Sequence, residues 1–299
     1  MDVVTGAFSF TGRYIAARLL ELGREVLTLT RHPQSASPFG TQVQAFPLDF
    51  DAKMLTERLR GAETLYNTYW IRSPRGDLTF DRVLANTATL LGAAREAGVR
   101  RVVQLSVSNA SASSALPYFR AKALAEEALS SSGLSHAIVR PTLVFAREDV
   151  LVNNIAWLLR RLPLFVVPGS GDYTLQPVAV EDVAELAVRA GLAEDALVLD
   201  SAGPDIFSFD EFVRLLREAV GSRATIVHAR PRIAHALSAL AGSVMRDTLV
   251  TRAELAGLMQ ELLTSKAAPT GTRRFTDWLR ENADSVGRSY VSERLRNWS

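Results

Sequence analysis

Apolar residues in the first half of the chain come in short runs separated by stretches of helical spacing. Residues 2–5, 25–30, 43–47, 64–67, 101–106 and 137–141 read as buried strands. The segments between them carry either polar turn chemistry or an amphipathic pattern, the first of which opens at Arg13-Tyr14-Ile15-Ala16-Ala17. Strands that alternate with helices of one or a few turns predict right-handed βαβ units, hence an α/β fold with a doubly wound parallel sheet. Past residue 147 the rhythm loosens, with Pro163, Pro168, Gly169 and Gly171 as punctuation. Residues 176–183 read as a strand running into a helix that extends to about Ala190, with Glu181 and Asp182 favourable at its N-terminus. A strand at 197–199 follows, and helical segments dominate beyond Phe209. The expected organisation is a Rossmann domain over 1–148, completed by 176–200, and a smaller, mainly helical domain over 149–299.

Composition narrows the chemistry. With 299 residues, 47% of them hydrophobic, the chain has material for a substantial core. It has no cysteine, which excludes disulfides, thiolate catalysis and cysteine-ligated metal centres. Its four histidines show no metalloprotease spacing, so no metal is expected. A net charge of +2 with scattered arginines does not imply nucleic acid. No apolar run approaches the roughly 18 residues of a membrane span, and no basic-apolar leader precedes the first strand, so a cytoplasmic protein is expected.

The turn after the first strand, Thr5-Gly6-Ala7-Phe8-Ser9-Phe10-Thr11-Gly12, has the form of a dinucleotide cradle. Gly6 suits a turn conformation that a Cβ disfavours, and Gly12 permits close approach of helix and sheet. The following helix start offers amides to a pyrophosphate. Ser9 stands where a third glycine is usual, leaving less room but adding a hydroxyl donor. The alternative is a purely structural strand-to-helix turn.

At the end of the second strand, Thr30-Arg31-His32 lacks the acidic residue that would accept from the ribose 2′-hydroxyl of NAD. Arg31 instead suits the 2′-phosphate of NADP, with His32 as a further donor, so NADP is expected over NAD. The alternative for Arg31 is a solvated loop charge. Asp49 stands where it can meet the adenine edge, although Asp49 or Asp51 equally suits the cap of a helix beginning near Lys53.

Tyr118-Phe119-Arg120-Ala121-Lys122 places a phenol and an ammonium at i and i+4, on one helix face. The charge favours phenolate and prepares the tyrosine for proton transfer to a carbonyl or from an alcohol. Lysine is scarce, with only Lys53, Lys122 and Lys266 in the chain. Ser106 and Ser108, at the end of the fifth strand, either orient a substrate oxygen or make ordinary turn hydrogen bonds.

TGAFSFTG, YFRAK and the preceding LSVSNAS resemble the short-chain dehydrogenase/reductase superfamily. IVRPTLVF, NNIAWLLRRLP, GSGDYTLQPVAVEDVAE, TRAELAGLMQELL and TDWLRENAD resemble its atypical, NmrA/epimerase-like branch, which is similar to the nucleotide-holding accessory subunit of mitochondrial complex I and its bacterial relatives. This resemblance implies a phosphate loop of Gly6, Phe8, Ser9, Phe10 and Gly12, with Arg13 and Arg31 serving phosphates. It implies Asp49 and Phe50 beside adenine, and Asn67 and Thr68 along the cofactor. It places Ser106, Ser108 and Lys122 on the ribose and nicotinamide side, with Pro141, Thr142 and Leu143 approaching nicotinamide through backbone. Tyr118 would be the acid/base of a Ser108-Tyr118-Lys122 set. The interval from Ser108 to Tyr118 is shorter than is usual in sugar-nucleotide epimerases.

By the same resemblance Asn153 is a candidate substrate contact, the alternative being a helix cap. The apolar, alanine-rich segment 233–245 suits a protein partner, a quinone-like substrate, a membrane surface or plain packing on the core. Two function classes follow. One is an NADP(H)-dependent oxidoreductase or epimerase-like enzyme acting on an unidentified small molecule; the other is a non-catalytic NADPH-binding sensor, assembly factor or structural subunit.

Overall fold

The computed structural model describes residues 1–233 and 252–292, which fall into two compact units. The first comprises Met1–Pro141 and Val180–Ser201; the second comprises Thr142–Ala179 and the described residues from Ala202 onward. In chain order the first unit holds β1 (Asp2–Thr5), α1 (Phe10–Glu21), β2 (Val26–Thr30), β3 (Val43–Pro47), α2 (Ala52–Leu59), β4 (Thr64–Asn67), α3 (Phe80–Glu96), β5 (Arg101–Leu105), α4 (Pro117–Ser130) and β6 (His136–Pro141). The second unit then contributes β7 (Leu143–Phe145), α5 (Val150–Arg161), β8 (Leu164–Pro168), β9 (Thr174–Leu175) and β10 (Pro177–Ala179). The chain returns to the first unit for α6 (Val180–Leu192) and β11 (Leu197–Ser201). It ends in the second with β12 (Phe207–Ser208), α7 (Phe209–Ala219), β13 (Thr225–Ala229), α8 (Arg252–Met259) and α9 (Phe275–Asn282).

Seven strands of the first unit form one sheet in the order β11-β6-β5-β4-β1-β2-β3, every pair parallel. Val3 lies opposite both Leu27 and Leu65, so the central strand is paired on both sides, and all four of its residues are buried. The sequence order reverses between β1 and β4. In such sheets the crevice beyond the strand ends at that point is where ligands bind. One layer of core joins Leu29, Leu65, Leu90, Val102 and Leu129.

Two buried features explain residues that look misplaced in the sequence. Arg101 opens β5 fully buried, because its guanidinium donates to the carbonyls of Ala190 (2.7 Å), Glu194 (3.1 Å) and Asp195 (2.7 Å) and to Ser135 Oγ (2.7 Å). A cation there satisfies the carbonyls at and beyond the C-terminal end of α6 and opposes the helix dipole. Gly191 lies against Tyr66: a Cβ on it would stand 2.2 Å from the Tyr66 hydroxyl oxygen, so only glycine lets α6 sit this close to β4. Burial drives the Tyr66 phenol far above its usual pKa and keeps it neutral.

The second unit packs Phe145, Phe212 and Phe275 together, with ring centroids 5.2 and 4.8 Å apart, around Leu175, Val213 and Leu279. Between its described helices run three two-stranded sheets, β10-β7, β12-β9 and β13-β8. Arg160 of α5 donates to the carbonyls of Val286 and Ala283, and Asn154 exchanges two hydrogen bonds with Val291, tying the late chain to α5.

Two boundaries differ from those expected. Helix α1 begins at Phe10 rather than Arg13, because Ser9 has the extended backbone of an N-cap (φ −87°, ψ 175°) and the chain turns helical before the apolar periodicity starts. Helix α5 begins at Val150, where Asp149 caps it by accepting from Val152 N at 2.7 Å. Asn153 is therefore not the cap. Of the segment 233–245, everything after Ile233 lies outside the described residues.

Candidate functional site

The β1–α1 turn is held by one backbone bond of its own and by two bonds to β2. Gly6 N donates to Leu29 O and Ser9 N to Gly6 O, at 2.8 and 2.9 Å, while Ala7 N donates to Thr28 Oγ1 at 2.9 Å. Gly6 has φ +70°. A Cβ on Gly12 would sit 2.1 Å from Gly6 O, so the first turn of α1 presses on the loop as closely as backbone allows. The Ser9 hydroxyl donates to Gly6 O at 2.6 Å and makes no cap bond. No acidic residue stands in the first turn of α1, which leaves its positive end suited to an anion. Phe8 and Phe10 are half-buried beside this loop, and Arg13 N extends the turn by donating to Ser9 O at 2.9 Å.

At the ends of β2, β3 and β4 a second group assembles. Arg31 is exposed, and its charge reaches the phenol of Tyr69, which burial raises above its usual pKa. Tyr69 packs on Phe50 with ring centroids 4.6 Å apart and accepts from Asn86 Nδ2 at 2.9 Å. Phe50 itself holds φ +61°, a left-handed conformation that a bulky side chain adopts only at a cost. Asp49 is exposed and accepts from Asp51 N, whereas Asp51 accepts from Met54 N at 2.9 Å. Asp51 is the cap of α2.

Asn67 and Thr68 lie at the reversal point of the sheet and brace it. Thr5 Oγ1 donates to Asn67 Oδ1 (3.0 Å), Asn67 Nδ2 donates to Gln104 Oε1 (2.8 Å), and Thr68 N donates to Thr5 Oγ1 (2.8 Å). Thr68 Oγ1 returns a short bond to Thr5 O. Thr68 and the Asn67 side-chain oxygen join β1 to β4, and the Asn67 amide nitrogen ties β4 to β5.

Beyond them lies the amine. Lys122 is 3% exposed, with Nζ donating to Leu105 O at 2.8 Å and standing 4.2 Å from the centre of the Trp70 ring. Burial pulls its pKa down to about 7, against the opposing pull of Glu126. Tyr118, one turn earlier on α4, sets its ring edge-on to the same Trp70 (6.4 Å) and to Phe80 (6.2 Å). The buried Ser106 hydroxyl has no hydrogen-bond partner among the described residues. Ser108 is fully buried, its N donating to Pro141 O at 2.9 Å.

Gly6 to Gly12, Arg31, Asp49, Phe50, Asn67, Thr68, Ser106, Ser108, Tyr118, Lys122 and Pro141 all belong to the first unit, and all but Tyr118 and Lys122 sit at or just past C-terminal strand ends of its sheet. Thr142, Leu143 and Asn153 belong to the second unit. There Asn153 donates to the carbonyls of Arg147 (2.9 Å) and Asp149 (2.7 Å) and accepts from Gly287 N (3.2 Å). Tyr69 and Trp70 are the additions that the sequence reading missed; the one trace of them is the aromatic pair immediately after β4. No cluster of metal-ligating side chains occurs among the described residues. None of their helices is long and apolar enough to cross a membrane.

The glycine cradle fits a pyrophosphate, and the unsatisfied Ser106 hydroxyl together with a buried amine fits a polar ligand beside it. A family model described as NAD(P)H-binding matches residues 6–156, a span that contains every one of these groups. The chain belongs to the NAD(P)H-binding family. The likeness to atypical short-chain dehydrogenase/reductases is borne out by its relatives. Mitochondrial NADH dehydrogenase (ubiquinone) 1 alpha subcomplex subunit 9 of Arabidopsis thaliana is 28% identical over 249 residues, 79% of this chain. The chain spans 62% of that relative's length. Among solved structures, triphenylmethane reductase of Citrobacter sp. superposes with a TM-score of 0.80 at 18% identity, covering 95% of this chain and all of that one. The NADPH-dependent quinone oxidoreductase of Escherichia coli, complexed with NADPH, gives 0.75 at 20% identity, covering 95% and 99%. These two similarities establish the fold.

Proposed function

We propose that this family member is an NADP(H)-dependent oxidoreductase or epimerase-like enzyme in which Tyr118 is the acid/base. The observation that carries the reading is the placement of Tyr118 and Lys122 against one indole, next to a buried serine hydroxyl that nothing in the described protein satisfies. When bound, the nicotinamide supplies or accepts the hydride. Tyr118 gives a proton to a developing alkoxide or takes one from an alcohol, while Ser108 orients the substrate oxygen and Ser106 lies on the cofactor side. Lys122 holds ribose hydroxyls and, once charged, favours the phenolate of Tyr118. Arg31 pairs with the 2′-phosphate and makes NADP the preferred nucleotide.

A second reading keeps the nucleotide and drops the chemistry. It is favoured by the covered state of Lys122 and by a curated relative that is a subunit of a larger assembly. Screening carbonyls, quinones and sugar nucleotides by NADPH absorbance separates the two. For an enzyme, Tyr118→Phe lowers turnover about 10²-fold or more with NADPH affinity nearly intact. NADPH bound tightly but never oxidised, with Tyr118→Phe fully complementing a deletion, selects the second reading.

A further inference from the structure

In its charged form Lys122 carries three N–H donors and spends one on Leu105 O. A ring whose centre stands 4.2 Å from Nζ covers another side of the amine. Half the thickness of an aromatic ring and the radius of the nitrogen fill most of that distance. An acceptor oxygen, which needs about 3 Å from the nitrogen, cannot enter between them. The amine is thus stored under the indole with two donors unspent.

The indole is held by aromatic packing and not by hydrogen bonding. Its ring meets Tyr118 edge-on and Phe80 at 6.5 Å, but its own Nε1 is buried without a hydrogen-bond partner among the described residues. The backbone on its N-terminal side is fixed, since Thr68 N and Tyr69 N both donate to Thr5 Oγ1 at 2.8 and 3.0 Å. Side-chain rotation at Trp70 therefore uncovers Lys122 without moving the strand that carries the nucleotide loop. We propose that Trp70 is a cover over Lys122 that must turn aside before the amine can bind a vicinal diol such as the ribose of a nicotinamide nucleotide. The proposal rests on the nucleotide reading above for its ligand, but the covered amine stands on the geometry alone. It makes Trp70 a positioning residue that sets the rate of nucleotide entry.

The three lysines make a direct test. Lys53 and Lys266 are exposed and serve as internal standards for acylation by acetic anhydride, followed by peptide mass spectrometry. Lys122 should react at least about tenfold more slowly than either in the nucleotide-free protein, and Trp70→Ala should raise its rate by about as much without changing the standards. Trp70→Leu, which keeps apolar bulk but loses the flat face, guards against misfolding and should give an intermediate rate. With NADPH, wild-type fluorescence should change on binding and that change should vanish in Trp70→Phe, while Trp70→Ala speeds NADPH association. Equal Lys122 reactivity in wild type, Trp70→Ala and Trp70→Leu overturns the cover. If NADPH fails to bind the wild type, the nucleotide reading falls, and the acylation rates alone still decide whether Trp70 shields Lys122.

Discussion

The two ends of the candidate site are built on opposite principles. The glycine end is finished: Ser9 N is bonded within the turn, Gly6 N and Ala7 N are bonded to β2, and a Cβ at Gly12 would collide with Gly6 O. The aromatic end is unfinished, with a buried amine that in its charged form uses one donor of three, and a buried serine hydroxyl and an indole N–H without partners among the described residues. Preformed backbone binds a phosphate group without reorganisation, whereas unsatisfied buried groups cost stability until a ligand pays them back. The contrast teaches that affinity resides at one end and responsiveness at the other.

Breaking the finished end should have the largest effect. Gly12→Val should weaken NADPH binding by more than about 10²-fold in a calorimetric titration, and lower thermal stability, since the added atoms meet backbone that cannot yield. A folded Gly12→Val protein with normal affinity would dissolve the contrast. Arg31→Ala should cost about tenfold in NADPH affinity and leave NADH affinity unchanged, the loss of one charge-assisted contact to a 2′-phosphate. Equal losses for both nucleotides would remove Arg31 from that role.

The unfinished end is sharpened by pH. The folded-state pKa of Lys122 lies near 7, below its ordinary 10.5, so the unfolded chain binds the proton more tightly between those values. This contribution makes the nucleotide-free protein gain stability as pH rises from about 7 toward 10.5. Lys122→Met should be stabilising relative to wild type at neutral pH, with the difference shrinking across that window in urea titrations. A difference independent of pH would show the amine to be paired rather than stranded. The smallest effect is expected of Ser9→Gly, which removes one exposed hydroxyl bond to Gly6 O and should change stability by about 1 kcal/mol or less with NADPH affinity within a few-fold.

Strands β1 to β6 were legible because each is a short apolar run bounded by turn chemistry, and a parallel sheet buried on both faces demands that pattern. Arg101 shows the limit of that logic. Only the carbonyls beyond the end of α6, some 90 residues later in the chain, account for a guanidinium at the start of a buried strand. The start of α1 was misread because periodicity reports the buried face of a helix and says nothing of the turn before it. Asp51 was legible only as one of two cap candidates, with Asp49; the structure selects it because it stands immediately ahead of α2 and accepts from Met54 N. Tyr69 and Trp70 carried no recognisable spacing, and the left-handed backbone of Phe50 carried none either.

By itself the sequence determined the alternation of strands and helices, the glycine turn and the pairing of Tyr118 with Lys122. Each of these is local, set by apolar period, by the absence of a Cβ or by the i, i+4 geometry of one helix. The tertiary structure alone decided the order of strands in the sheet, the bracing of Thr5 against Asn67 and Thr68, and the indole that lies over Lys122. Those depend on which distant segments meet, and a side chain's state of charge and its freedom to act follow from what it is buried against.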